Sequence, residues 1–307
     1  MKGSRKENKK KLIWTRIVQF CSRAKMVSDE RIFRSLQSEV IPMLIAQITD
    51  THLRPDGSVT YAGVDPKANF SATLEAIASL ATRPDMIVLS GDLADKGEAG
   101  SYAWLDQELG RYDMPVYVIP GNHDLRAPMR QAFGRHGYLP EGGFMHYVVE
   151  AGPVRLVALD TVIEFETGGR MCADRCAWLS DRLAEDRKTP TVIMMHHQPF
   201  LTGGHFDAIG IEGRETLEAV VAKAPNVTLV ICGHMHRGAL VRWAGTVVSV
   251  CPSTAFQFDL GQADPTTFRV RAEPPAYQLH HWSQKTGMVT YTGTVGDFPV
   301  LRERPHE

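Results

Sequence analysis

A chain of 307 residues, 43% hydrophobic and 22% charged, is long enough for one large α/β domain or two small ones with a sizeable core. Its formal net charge of −1 excludes a global basic field for nucleic acid, and it has no run of about 18 apolar residues to span a membrane. Five cysteines, an odd number in a long chain, argue against a disulfide framework; all five read as small apolar thiols.

Residues 1–40 stand apart as a basic extension headed by Lys2, Arg5, Lys6, Lys9, Lys10 and Lys11. The stretch 12–20 leans apolar, but Arg16 makes it a poor signal-peptide core. Two readings stand: a surface-binding amphipathic helix, or a loosely attached upstream segment. Met26 and Met43 each offer an alternative translation start. The folded domain is expected over residues 41–307.

From residue 43 the grammar is strand, loop, helix. The β-prone run 44–49 ends in Asp50-Thr51-His52, and a polar loop follows to Gly63. Asp65 caps a helix with Pro66 at its first position and an apolar face of Phe70, Leu74, Ile77 and Ala78. The run 86–90 leads into Gly91-Asp92, and residues 98–110 form a helix with Trp104, Leu105 and Leu109 inward. Residues 115–119 lead into Gly121-Asn122-His123-Asp124, where Gly121 permits an unusual backbone turn. A strand at 154–159 and a helix at 173–185 burying Trp178, Leu179 and Leu183 follow. Residues 191–195 end in His196-His197, a helix lies near 214–223, and residues 227–232 end in Gly233-His234-Met235-His236. Thereafter 238–243, 246–251, 277–282 and 287–292 read as strands without helices between them, and 253–275 as an irregular loop. Alternation first and strands later predict two packed sheets with helices outside.

Five apolar runs thus each end in Asp, Asn or His. In open α/β sheets, ligand sites form beyond the carboxyl ends of the strands. Side by side, these five ends gather two Asp, one Asn and several His. Carboxylate oxygen and neutral imidazole suit Mn²⁺, Fe²⁺ or Zn²⁺, and the lack of Cys at these positions disfavours a structural thiolate zinc site. In D-x-H and H-x-H, extended backbone would turn both side chains to one side.

The ordered set Asp50-x-His52, Gly91-Asp92, Gly121-Asn122-His123-Asp124, His196 and Gly233-His234-x-His236 closely resembles the calcineurin-like metallophosphoesterase superfamily. The resemblance runs from about residue 43 to at least residue 252. Length and flanking sequence look most like the bacterial class III cyclic-nucleotide phosphodiesterases and glycerophosphodiesterases. The resemblance implies a four-layer α/β/β/α sandwich of two mixed sheets flanked by helices, and two divalent metal ions. By resemblance, Asp50, His52, Asp92 and His236 bind one ion, and Asp92, Asn122, His196 and His234 the other, with Asp92 as the bridge. His196 is preferred over His197 because it is first off the strand; His197 is expected to pack behind. A metal-activated hydroxide would attack phosphorus in line. His123 would donate the proton to the leaving oxygen or stabilise its charge, and Asp124 would orient the turn or pair with His123.

The implied substrate is a cyclic nucleotide or a small glycerophosphodiester. A broad phosphomonoesterase or nuclease, and a non-catalytic nucleotide-binding protein, are the alternatives; duplex DNA is disfavoured by the charge. In the Gly-rich segment 201–213, His205 and Phe206 either meet the substrate or belong to a plain surface loop. Arg54 and Arg237 flank the ligand turns and are expected in solvent, with phosphate contact as the other reading. His136, His146, His280 and His281 read as structural. A homodimer is what the resemblance suggests, and the cytoplasm is the expected location.

Overall fold

The computed structural model describes residues 42–60, 63–260 and 269–302; the basic extension expected over residues 1–40 lies outside them. The described elements begin β1 (Met43–Ile48), α1 (Pro66–Ala78), β2 (Met86–Leu89), α2 (Ala99–Leu109), β3 (Val116–Val118), α3 (Arg126–Phe133), β4 (Tyr147–Ala151) and β5 (Val154–Ala158). They continue β6 (Gly169–Arg170), α4 (Ala173–Glu185), β7 (Thr191–Met194), β8 (Ile211–Glu212), α5 (Arg214–Val221) and β9 (Val227–Cys232). The last are β10 (Ala239–Trp243), β11 (Thr246–Val250), β12 (Gln257–Phe258), β13 (Val270–Arg271), β14 (Ala276–Ser283) and β15 (Gly287–Thr294).

Two mixed sheets result. One has the order β15-β14-β1-β2-β3, the other β10-β11-β9-β7-β5-β4. In the first, β1, β2 and β3 run parallel and β14 and β15 are antiparallel additions. In the second, β5, β7, β9 and β11 run parallel, with β4 and β10 antiparallel at the edges.

Side-chain alternation along the central strands divides the core into three layers. Ile45, Met86, Val88, Val192, Met194, Leu229 and Ile231 meet between the sheets. The intervening residues Ala46, Ile48, Ile87 and Leu89 turn outward against Phe70, Leu74 and Ile77 of α1 and Tyr102 and Leu105 of α2. Ile193, Met195, Val230 and Cys232 turn the other way, against Leu179 and Leu183 of α4 and Leu217 and Val221 of α5. The strands therefore read as continuous apolar runs because both faces are covered. The result is the four-layer α/β/β/α arrangement, and each fully buried Leu, Ile or Phe contributes about 1.5–3 kcal/mol.

Helix α1 starts as expected: Asp65 Oδ1 accepts from the amides of Lys67 and Ala68, both at 3.0 Å. Ala78, at its last position, is exposed, and Trp104 and Trp178 are only partly covered. Helix α2 buries Ser101, Tyr102 and Leu105 completely. A polar thread crosses between the sheets. Gln47 on β1 donates to Ser90 Oγ at 2.8 Å and to the Cys232 carbonyl at 3.0 Å, and accepts from His280 Nε2 at 2.9 Å. Among the described residues no helix is long and apolar enough to cross a membrane.

Candidate metal centre

The strand ends do not leave the sheets in extended form. Asp50, His52, Asp92, His234 and His236 have φ of 51°, 44°, 52°, 68° and 46°. Only Phe165 and Ala244 share this left-handed conformation among the described non-glycine residues. Each such residue costs an L-amino acid about 1–2 kcal/mol, and strain of this kind gathers at functional sites. The D-x-H and H-x-H segments therefore deliver their side chains from left-handed turns, not from the extended backbone expected of them. Close packing fixes two of the glycines. A Cβ on Gly121 would lie 2.2 Å from Asp92 N and Oδ1, and one on Gly233 would lie 2.1 Å from Thr49 Oγ1 and 2.6 Å from Asp50 Oδ2.

The turns bring seven predicted residues together. Potential ligand atoms of Asp50, His52, Asp92 and His236, all buried, lie within 4.8 Å of one another. His236 Nε2 is 3.0 Å from His52 Nε2 and 3.3 Å from Asp50 Oδ1. Beside them, Asn122 Oδ1 is 2.9 Å from His234 Nδ1 and 3.1 Å from His196 Nε2. Asp92 lies between the two groups, with Oδ1 3.4 Å from His196 Nε2 and Oδ2 3.7 Å from His52 Nε2.

The outward ring nitrogens settle which way the lone pairs point. His196 Nδ1, His234 Nε2 and His236 Nδ1 meet the carbonyls of Ser90, Ile209 and Phe256 at 2.8, 3.0 and 2.9 Å. A carbonyl only accepts, so in each neutral ring the outward nitrogen carries the hydrogen and the inward one is a bare lone pair. His52 Nδ1 lies 3.3 Å from Asp95 Oδ1, close enough for an ion pair but outside hydrogen-bond geometry. With the His196, His234 and His236 rings neutral, their inward lone pairs, two carboxylates and an amide oxygen converge beside His52 with no hydrogen between them. Such an acceptor-only cluster fits divalent cations, and the outward partners are those that orient metal-binding imidazoles.

The electrostatics agree. Burial would raise the Asp50 and Asp92 carboxyls, but facing imidazoles, His236 for Asp50 and His196 and His123 for Asp92, hold both below the usual carboxylate range. Burial disfavours a charged His196, yet the Asp92 carboxylate outweighs it and holds the ring up at about 9. His234, pushed by burial and by His196, falls to about 3. The cluster therefore favours positive charge beside Asp92.

His123 opens onto the cavity from the same turn. Its Nδ1 donates to the Asp95 carbonyl at 2.7 Å. Burial disfavours its charge, but Asp92 and the Asp95 carbonyl raise it above the ordinary imidazole value. Asp124, expected to orient the turn or pair with His123, lies behind the turn at 1% exposure. Its carboxylate accepts from the amides of Leu93, Ala94 and Gly121 and from the Tyr102 hydroxyl at 2.8–3.0 Å. It ties the Asp92 turn to the Asn122 turn, and the pairing with His123 is not among its bonds. Burial and Asp92 push it up to about 6.

His197 uses both nitrogens on protein groups: Nδ1 accepts from Thr161 Oγ1 at 2.8 Å and Nε2 donates to the Thr167 carbonyl at 3.2 Å. Arg54 is paired with Asp95 at 3.0 Å and Arg237 with Glu273 at 2.6 Å, so neither stands simply in solvent. A cavity of ≈ 700 Å³ opens over the cluster; His52, Asp92, Asn122, His123, His234, His236 and Thr167 line it together with the apolar Ile209, Phe256, Phe258 and Val270. Phe206 stands behind, its ring 5.6 Å from that of Phe258. Asp95 and the two phenylalanines of the 253–275 segment were not singled out by sequence. Asp95 follows Asp92 by three residues in a Gly-Asp-Leu-Ala-Asp run, the one signal that pointed to it.

A fold of two helix-flanked sheets whose strand ends converge on a carboxylate–imidazole cluster defines a metal-dependent hydrolase of phosphate esters. Residues 43–238 match the calcineurin-like phosphoesterase family, and the chain belongs to it. It is similar to the probable glycerophosphodiester phosphodiesterase GpdQ of Arcobacter nitrofigilis, 30% identical over 83% of this chain and 94% of that one. It is likewise 30% identical to the 3′,5′-cyclic adenosine monophosphate phosphodiesterase CpdA of Escherichia coli, over 70% of this chain and 77% of that one. A solved dimetal phosphatase from Danio rerio shares the fold, with a TM-score of 0.54 at 14% identity over 83% of this chain and 99% of its own.

Proposed function

We propose that this protein hydrolyses small phosphodiesters, cyclic nucleotides or glycerophosphodiesters, with two divalent cations. Asp50, His52, Asp92 and His236 would hold one cation, and Asp92, Asn122, His196 and His234 the other, Asp92 serving both. Bound there, the cations would neutralise the diester's charge and make a hydroxide nucleophile available near neutral pH. The observation that carries this reading is the convergence of bare lone pairs and carboxylates beneath a partly apolar cavity.

The protein's own groups supply the rest. His123 borders the cavity, and its Nδ1 is fixed by the Asp95 carbonyl. In the protonated ring, the form that Asp92 and the Asp95 carbonyl favour, the other nitrogen carries a proton that it would give to the departing alkoxide, a role worth about 10²–10⁴-fold. The Asp95 carboxylate orients His52, and Asp124 holds the two central turns in register. The apolar lining excludes water and accepts the organic part of the substrate.

The test is purified protein with Mn²⁺ against cyclic AMP, 2′,3′-cyclic AMP and glycerophosphocholine. Chelator-sensitive turnover of at least one diester is expected. No turnover of any diester would favour a nucleotide-binding protein that has kept the fold.

A further inference from the structure

The apolar lining of the cavity is built as a unit. Phe258 and Val270 are register partners across the β12–β13 pair, and both line the cavity. Ile209 lines it from the segment held by His234. Phe258 is only partly buried, and its ring lies 4.8 Å from that of His236. The pair is held in place by ions and a carbonyl. Arg237 grips Glu273 at 2.6 and 2.7 Å and donates to the Phe258 carbonyl, and Arg271 meets Asp259 at 3.0 Å.

A phosphoryl group seated at the imidazoles would leave room in the cavity for an ester substituent against Phe258, Val270 and Ile209. None of these three side chains carries a charge or a hydrogen-bonding group. A glycerol placed there would give up water without replacement, at a cost. A flat heteroaromatic ring presents an apolar face and gains stacking on an aromatic side chain. We propose that Phe258, Val270 and Ile209 form a base-binding subsite, which selects diesters of nucleosides over diesters of glycerol. The inference rests on the phosphodiesterase reading above and names the substrate class of that same site.

The experiment pairs turnover with equilibrium binding. Phe258→Ala and Phe258→Trp are compared with the parent on cyclic AMP and on glycerophosphoethanolamine. The affinity of 5′-AMP for the Mn²⁺-loaded protein is measured by calorimetry. Phe258→Ala should raise KM for cyclic AMP and weaken 5′-AMP by about ten-fold or more, the loss of one stacked base. It should leave kcat within about two-fold, since the contact is made equally in ground and transition states. KM for glycerophosphoethanolamine should rise much less than KM for cyclic AMP, and Phe258→Trp should restore binding. Glycerophosphocholine is a needed control, because its quaternary ammonium is also drawn to aromatic faces; a larger loss on it than on cyclic AMP would overturn the base assignment. Equal losses on both kinds of diester, or unchanged 5′-AMP affinity, would do so too. If Phe258→Ala fails to fold, Val270→Ser from the facing strand gives the same comparison. If the parent turns over neither diester, the phosphodiesterase reading falls, while the 5′-AMP titration still decides the subsite.

Discussion

The Tyr102 hydroxyl donates to Asp124 Oδ1 at 2.8 Å, beneath the two turns that present Asp92 and Asn122. The same hydroxyl accepts from the Leu125 amide at 3.1 Å. A helix residue thereby braces the floor of the cluster without touching it. Tyr102→Phe should lower stability by about 1–2 kcal/mol, the cost of one buried bond lost on each side. Asp124→Asn should cost more, because its NH₂ would face amide donors that now have a carboxylate, and metal retention should fall with it. Thermal melts and elemental analysis of the two variants check this. An Asp124→Asn protein with parental melting and metal content would refute it.

Asp92 faces both halves of the cluster. Asp92→Ala should abolish diester hydrolysis and empty both cation positions, not one. Metal titration followed by calorimetry distinguishes the cases. Two tightly held ions in the variant would reject the shared-carboxylate assignment.

His123 lines the cavity but is absent from the seven-residue cluster assigned to cations. His123→Ala should therefore keep its metal and lose help to the leaving oxygen. A ribose alkoxide needs that help and a nitrophenolate does not. The variant should lose about 3–5 kcal/mol of transition-state stabilisation on cyclic AMP and much less on bis(p-nitrophenyl) phosphate. Equal losses on the two, measured at equal metal content, would mean that the ring binds phosphate or positions the turn.

Stability should depend on His280 at acid pH. The ring is fully buried between Gln47 and Thr290, at 2.9 Å from each, and burial pushes it down to about 3. In the unfolded chain it titrates near 6.5. Between these values the unfolded state holds a proton that the folded state refuses, so stability rises with pH there. Its contribution is complete above about pH 6.5 and is lost as pH falls toward 3, at up to about 1.4 kcal/mol per pH unit. The difference in stability between the parent and His280→Gln should shift by that slope, since the amide does not titrate. Parallel stability curves from pH 7 to 4 would show that His280 is not the group responsible.

The layered fold was legible because doubly covered strands are unbroken apolar runs, and the helices between them announce themselves through caps such as Asp65. The seven cluster residues were legible for a different reason: Asp, Asn and His stand out when each follows such a run. What escaped notice depends on contacts far apart in sequence. Asp95 looks like any loop acid until His52 Nδ1 arrives beside it. Phe258 sits on a two-residue strand, too short for alternation to show, with Phe256 just before it, inside a segment read as irregular. The short edge strand β4 and helix α3, with only two buried residues, gave equally weak patterns. Left-handed backbone at Asp50 or His236 leaves no mark in composition, because glycine or asparagine would be the ordinary choice there.

That last point bears on how such a protein changes over time. At five positions the side chain that chemistry requires is one the backbone would rather replace. Glycine at any of them would relax the chain by about 1 kcal/mol. A population screened only for resistance to heat, with no demand on turnover, would therefore drift first at the metal centre, and the sturdiest descendants would be the inert ones.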